Sequence, residues 1–197
     1  MLSFRIQRHT LLILPLLASL LACQNDADED THTQFTQGNT PATDNTAKAN
    51  AQVREELDLA DPQDFENASR GLIASPASLQ VPGPGKSLVW DMPSYDFIQG
   101  EAPDTVNPSL WRQATLNNYH GLFKVTEGVY QLRGFDLSNM SIIEGKTGWI
   151  IVDPLTTKET AGAAIAFARE HLGNKPISAI IFTHSHVDHF GGVQAVL

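Results

Sequence analysis

Apolar and polar residues alternate along the chain from residue 121 onward, as they do in strands that bury one face. The segment GLFKVTEGVYQLRGF, residues 121–135, predicts a half-buried strand interrupted at Glu127-Gly128. In SNMSIIEGKTGWIIVDP, residues 138–154, two apolar runs flank a Glu-Gly-Lys-Thr-Gly turn and predict a hairpin. The nearly continuous apolar run in ISAIIFTH, residues 177–184, predicts a strand covered on both faces.

One amphipathic helix is predicted between these strands, at residues 156–172 (TTKETAGAAIAFAREHL). Thr156 or Thr157 is the expected N-cap, and Gly173 follows the last helical residue. The predicted inner face of this helix consists of Ile165, Phe167, Ala168 and Leu172. The order strand, strand, strand, helix, strand predicts a layered α/β domain that occupies residues 121–197.

The segment before this domain, residues 51–120, is predicted to be an arm of short helices and extended chain. One helix is expected at 51–59, and a second after Asp61-Pro62, where Asp is a good N-cap and Pro a good first helical residue. Residues 76–118 are rich in Pro and Gly, so we expect little regular structure there. Four aromatic residues are expected to anchor the arm by burial: Trp90, Tyr95, Phe97 and Trp111.

The first 23 residues have the pattern of an export signal. Arg5 and Arg8 precede the apolar run LLILPLLASLLA, which is too short to span a bilayer. The run ends in Leu20-Leu21-Ala22-Cys23, which resembles the lipobox of bacterial lipoproteins. We therefore expect Cys23 to be lipidated and the protein to be anchored on the periplasmic side of a bacterial membrane. A plain cleaved signal and a soluble periplasmic protein are the alternative.

Residues 24–50 are polar and rich in Thr, Asn and Asp, which predicts a disordered linker. The net charge of −9 is concentrated in residues 24–70, which contain eleven acidic and three basic side chains. The absence of a basic stripe argues against nucleic-acid binding. The single Cys excludes an internal disulfide framework and a zinc site built on several cysteines.

A cluster of metal-ligand side chains directly follows the last predicted strand, in THSHVDHFGG, residues 183–192. Side chains two apart in an extended segment point to the same side, and Asp and His follow where the chain turns. Imidazole and carboxylate groups are suitable ligands for zinc and related ions. Two such ions can share a water and lower its pKa towards 7. The predicted metal ligands are His184, His186, Asp188 and His189, and Asp188 is also the predicted catalytic carboxylate.

The H-x-H-x-D-H motif at 184–189, followed by Gly-Gly, resembles the metal motif of the metallo-β-lactamase superfamily, whose fold is an αββα sandwich. The stretches DFENASRGLIA, VWDMPSYDFI, APDTVNPSLWRQ, GFDLSNM and VDPLTTKETA further resemble the N-terminal part of the linear alkyl sulfatases (alkyl/aryl-sulfatases). The similar region extends from about residue 50 to residue 197.

This resemblance implies a binuclear zinc hydrolase that cleaves alkyl sulfate esters to an alcohol and inorganic sulfate. His184 and His186 match ligands of the first zinc, and Asp188 and His189 match ligands of the second. Asp153 matches a position that supports the loop of residues 183–192, called the metal loop below. Full-length members of the family are expected to be homodimers.

One departure from the family pattern is that further Glu and His ligands are expected well beyond this motif, whereas the sequence ends at Leu197. The expected fold is therefore an incomplete αββα sandwich, the first half of the domain in an N-terminal fragment. We expect these 197 residues alone to be poorly stable and inactive. Two alternatives stay open: another hydrolase of the superfamily (lactonase, thioesterase or β-lactamase), or a truncated, non-catalytic metal-binding remnant.

Overall fold

The structure is a computed structural model that describes residues 40–197. The predicted signal peptide 1–23, including Cys23, and residues 24–39 of the predicted linker lie outside the described residues. Residues 42–197 form one compact unit. None of the helices described in this part of the chain is long and apolar enough to cross a bilayer.

The main feature of the fold is a six-stranded sheet that runs in the order β1-β4-β5-β6-β7-β8. All neighbouring strands pair antiparallel except β7 and β8, which are parallel, and β2 and β3 form a separate hairpin. The strands are β1 (Leu72–Ala74), β2 (Gln80–Pro82), β3 (Leu88–Asp91), β4 (Gly121–Thr126), β5 (Val129–Arg133), β6 (Met140–Glu144), β7 (Trp149–Val152) and β8 (Ile177–Ile181). The helices are α1 (Asp44–Glu56), α2 (Gln63–Ser69), α3 (Pro108–Asn117) and α4 (Lys158–Leu172).

Helix α4 connects the parallel strands β7 and β8 and packs on one face of the sheet. Thr157 caps it, because its hydroxyl accepts from the Thr160 amide at 3.1 Å while the Thr160 side chain accepts from the Thr157 amide at 3.3 Å. Gly173 ends the helix with φ of 85°, a conformation that favours glycine. The predicted helix is thus confirmed, and of its predicted inner face Ile165 and Ala168 are buried while Phe167 and Leu172 are partly buried against the core.

The core lies between α4, the β2–β3 hairpin and the covered face of the sheet. Complete burial of a Leu, Ile or Met side chain contributes about 1.5–3 kcal/mol, so the apolar contacts of this core dominate the stability of the unit. The side chains that are completely inaccessible to solvent include Leu132, Met140, Ile142, Trp149, Ile151 and Leu155. One sheet with one covering helix layer confirms the α/β class and agrees with the first half of the predicted sandwich.

Strand β8 differs from its prediction, because only one of its sides is covered by the described part of the chain. Ile177 and Ile180 pack against the core, whereas Ile181 and Phe182 are about half exposed. The apolar run alone does not reveal which neighbouring element covers each face, so the prediction of burial on both faces is wrong for residues 40–197.

The N-terminal helix begins earlier than predicted. Helix α1 starts at Asp44, capped by the hydroxyl of Thr43, and ends at Glu56. Residues 44–50, assigned to the disordered linker, are therefore helical. The reason is tertiary: the buried Asn50 donates to the Asp104 carbonyl at 2.7 Å and Arg54 donates to the Ala102 carbonyl at 2.8 Å. These bonds offset the ordering entropy that the composition of the segment suggests.

The arm contains more regular structure than predicted. The second helix begins at Gln63, whose amide donates to the Asp61 side chain at 2.9 Å, close to the predicted start. Helix α3 and strands β2 and β3 were not predicted, because Pro and Gly at their ends indicate loops. Asn107 caps α3 and Pro108 occupies its first turn, where the missing amide hydrogen has no cost.

The four predicted anchors behave differently from one another. Trp90 and Trp111 are partly buried and donate their ring N–H to the carbonyls of Gly134 at 2.6 Å and Gly100 at 3.0 Å. Tyr95 and Phe97 are exposed, with 42% and 69% of their surface accessible in the described residues, so their predicted burial is wrong. An indole combines a large apolar area with a donor that can reach a backbone carbonyl.

Asp136 is the polar centre that ties the loop after β5 to the start of α4. Its buried carboxylate accepts from the amides of Leu137 at 2.6 Å and Thr156 at 3.1 Å, and from the hydroxyls of Thr156 and Thr160. Four donors thus depend on a single side chain.

We predict that Asp136→Ala lowers the free energy of unfolding by about 1–3 kcal/mol, because buried donors lose their acceptor. Urea denaturation followed by circular dichroism measures this change. The matched control is Asp96→Ala, at an exposed position, which is expected to change stability by less than about 0.5 kcal/mol. Equal effects of the two substitutions would contradict the role given to Asp136.

Candidate metal centre

The histidine-rich segment follows β8 at the edge of the sheet where β7 also ends. Since β7 and β8 are parallel, Asp153 after one strand and Thr183 after the other lie side by side. The chain then forms a 3-10 turn at Val187–His189. This is the edge at which open α/β sheets place their binding sites.

Asp153 connects the two strand ends to the metal loop. Its Oδ1 accepts from the Thr183 amide at 2.8 Å, and its Oδ2 accepts from the Thr183 hydroxyl at 2.7 Å. The Nδ1 atom of His189 lies 2.9 Å from the same Oδ2. The structure thus places Asp153 behind the predicted ligand His189, the geometry in which a carboxylate orients a metal-binding imidazole.

The environment of Asp153 favours its ionised form. Burial by itself acts to raise the pKa of this carboxyl, but the hydrogen bonds from Thr183 and His189 outweigh burial and hold the pKa below its ordinary value. The carboxylate is 7% exposed and remains negatively charged at neutral pH. It can therefore accept a hydrogen bond from Nδ1–H of His189 and leave Nε2 of that ring unprotonated to bind a metal.

The turn after β7 is held in an unusual backbone conformation. Asp153 has φ of 56° and Leu155 has φ of 65°, both in the left-handed region that non-glycine residues seldom adopt. Leu155 is completely buried, and the Asp153 amide donates to the Ile181 carbonyl at 2.9 Å, so packing and pairing maintain this shape. Strain of about 1–3 kcal/mol per residue of this kind is concentrated at functional sites.

The four predicted ligands lie together in two pairs. Nε2 of His184 is 3.1 Å from Nδ1 of His186, and the centroids of these rings are 4.7 Å apart. Nε2 of His189 is 3.2 Å from Oδ2 of Asp188. The rings of His184 and His189 are tilted against each other with centroids 4.0 Å apart, which brings the two pairs into contact.

The four side chains are arranged as two pairs of metal ligands, and neither pair forms a complete coordination sphere by itself. Within residues 40–197 no group of three or more His, Cys, Asp or Glu side chains is arranged to hold one ion. Two ligand nitrogens on one tetrahedral zinc are about 3.3 Å apart, which follows from a Zn–N distance of about 2.0–2.1 Å. The nitrogens of His184 and His186 already have nearly this separation, and each pair leaves further positions on an ion to other ligands.

Two residues that sequence reasoning missed position the site. Thr183 donates its hydroxyl proton to Asp153, so the same oxygen accepts from Nδ1 of His184 at 2.9 Å and leaves Nε2 of that ring free. The Ser138 hydroxyl donates to the Asp188 carbonyl and joins the loop after β5 to the metal loop. The polar residue at the end of an apolar strand was the available signal for Thr183, whereas Ser138 had no local signal.

The two glycines after the motif, Gly191 and Gly192, allow a close approach between two backbone segments. A Cβ atom on Gly191 would lie 2.1 Å from the Thr156 carbonyl oxygen, and one on Gly192 would lie 2.2 Å from that of Pro154. The Gly192 amide also donates to the Leu155 carbonyl at 2.9 Å. The metal loop therefore packs directly on the turn that carries Asp153.

Comparison with known proteins agrees with this geometry. Residues 133–197 match the metallo-beta-lactamase superfamily. The alkyl/aryl-sulfatase BDS1 of Saccharomyces cerevisiae is 52% identical over 153 residues, which are 77% of this chain and 24% of that protein. A linear primary-alkylsulfatase of Pseudomonas sp is 50% identical over 159 residues, which are 80% of this chain and 24% of that protein.

A solved structure shows the same fold. The stereoselective inverting sec-alkylsulfatase Pisa1 from Pseudomonas sp. superposes with a TM-score of 0.76 at 50% identity, over 80% of this chain and 25% of that chain. The chain thus spans about a quarter of the length of the relatives it matches. These findings confirm the resemblance inferred from the sequence: residues 133–197 match the metallo-β-lactamase superfamily, and the chain is about half identical to alkylsulfatases over about four fifths of its length.

Proposed function

We propose that the intact protein hydrolyses alkyl sulfate esters to an alcohol and inorganic sulfate. The observation that carries this proposal is the pair of donor sets at 184–189, supported by Asp153, in a chain about half identical to alkylsulfatases. The matched proteins act on primary and on secondary alkyl sulfates according to their names, so the shared substrate class is a sulfate ester of an alkyl alcohol.

Two zinc ions are the proposed cofactor. His184 and His186 would hold one ion, and Asp188 and His189 would hold the other. When bound, such ions supply Lewis-acid chemistry that activates water for attack on an ester. The chain's own residues would orient the ligands. Thr183 and Asp153 accept hydrogen bonds from Nδ1 of His184 and Nδ1 of His189, and so direct the Nε2 atoms of both rings to the metals.

Export and anchoring are part of the same proposal. The Arg-containing apolar segment and Cys23 support a lipoprotein on the periplasmic side of a bacterial membrane, where an alkyl sulfate meets the protein before it reaches the cytoplasm. The homodimer stays a prediction. The inactivity of residues 1–197 alone also stays a prediction. It is supported by the number of ligands, since each donor pair supplies only two to its ion.

We predict that His184→Ala in the intact protein reduces sulfate release from dodecyl sulfate by about 100-fold or more, because one ion loses a direct ligand. Sulfate release and bound zinc are measured on the same preparation. His171→Ala, on the exposed side of α4, is the matched control and is expected to retain activity and zinc. Full activity of His184→Ala, or the same loss in both variants, would contradict the assignment.

Substitution of Asp153 tests the support of the metal loop. We predict that Asp153→Ala weakens zinc binding by about 10–100-fold, since His189 loses the carboxylate that orients it. Asp153→Asn retains one oxygen acceptor and is expected to lose less affinity. Competition with a chromogenic chelator measures the affinity, and circular dichroism verifies the fold. Equal affinities of the three proteins would show that Asp153 does not position a ligand.

A further inference from the structure

Outside the metal loop, a cavity of about 410 Å³ lies beside the loop that follows β5. Its volume lies in the range of pockets that bind small molecules. The wall comes from four segments, namely residue 68 and residues 90–98, 114–119 and 133–139, and slightly more of it is apolar than polar. Its apolar lining includes Trp90, Met92, Tyr95, Ile98, Leu116 and Leu137.

Charged groups also contribute to the wall, but their charges are directed elsewhere. Arg133 donates to Gln131 at 2.7 Å, and its guanidinium lies over the ring of Phe123, 4.2 Å from the centroid. The carboxylate of Asp136 accepts from backbone and hydroxyl donors on α4 and its own loop. The cavity therefore presents apolar side chains and three asparagines to a ligand, while its two charged side chains already have partners in the protein.

The loop of residues 134–139 is shared by the cavity and the metal centre. Leu137 lines the cavity, and the next residue, Ser138, donates its hydroxyl to the Asp188 carbonyl. The loop is fixed on both sides, because Gly134 accepts from the Trp90 indole while Asp136 is bonded to the start of α4. The position of the cavity relative to the proposed ligands is thus determined by hydrogen bonds.

The separation of the two features suits an extended chain. Strands β5 and β8 end at the same edge of the sheet and are three strand spacings apart, about 14 Å. Leu137 belongs to the loop that bridges this interval, and at 79% exposure it is the most exposed large apolar side chain of residues 40–196. A solvent-exposed Leu between a polar centre and an apolar cavity is the arrangement that an amphiphile with an anionic head requires.

We propose that this cavity binds the alkyl chain of the sulfate ester and sets the preferred chain length, with Leu137 at the point where the chain leaves the metal centre. The inference rests on the alkyl sulfate hydrolysis proposed above. It assigns selectivity to the N-terminal arm, residues 51–120, which supplies most of the residues in the wall.

The test compares butyl, octyl and dodecyl sulfate, below the concentrations at which they form micelles, with the intact protein. We expect kcat/KM to rise by up to about fourfold for each methylene that the cavity buries. Ala114→Phe adds a ring to the cavity wall and is expected to lower the dodecyl-to-butyl ratio of kcat/KM at least tenfold. Gln113→Phe adds the same ring on the exposed side of α3 and is expected to leave the ratio unchanged.

A second variant and a binding measurement keep the result interpretable if Ala114→Phe fails to fold. Leu137→Ala changes an exposed side chain and is expected to lower the same ratio severalfold. Alkanesulfonates of the same lengths cannot be hydrolysed as esters, so calorimetric binding of these analogues to wild type and variants reports on the cavity without turnover.

The outcomes separate the two proposals. Chain-length-dependent sulfonate binding that is lost in Ala114→Phe, without sulfate release by the wild type from any ester, would support the cavity and overturn the proposed activity. Sulfate release with a ratio that is the same in wild type, Ala114→Phe and Leu137→Ala would support the activity and overturn the cavity assignment. An equal loss in Gln113→Phe would also overturn it.

Discussion

The parallel pairing of β7 with β8 is the constraint on which the rest of this structure depends. It brings Asp153 and Thr183 to the same sheet edge, where three hydrogen bonds join two strand ends and one imidazole. An antiparallel arrangement would place these residues at opposite edges. The chemistry of the metal loop is therefore a consequence of strand direction, which in turn requires the α4 crossover.

Two further contacts extend this arrangement across the sheet. Asp136 binds the loop after β5 to the start of α4, and Ser138 in that loop reaches the carbonyl of Asp188. Each contact is modest, since a single hydrogen bond contributes about 0.5–1.5 kcal/mol. Together they place an apolar cavity, a fixed loop and a cluster of imidazoles along one edge. That order matches the two ends of the amphiphilic ester that we propose as the substrate.

The N-terminal arm is part of the same unit and supplies one wall of the cavity. Its order is maintained by long-range bonds from polar side chains, among them Asn50 to Asp104 and the indole of Trp90 to Gly134. Composition indicates only that such a segment has little apolar area to bury. The partners of its polar groups lie more than 40 residues away in the chain, so no local pattern reports them.

The sequence by itself determined the elements whose signals are local. The caps at Thr157 and Gly173, the alternation in β4 to β7 and the ligand spacing at 184–189 each depend on residues within one turn or one strand. Tertiary structure alone decided which face of β8 is covered, why residues 44–50 are helical and how Thr183, Ser138 and Asp136 position the site. The physical reason is that a buried donor or acceptor must find a partner in space, and the chain order does not specify that partner.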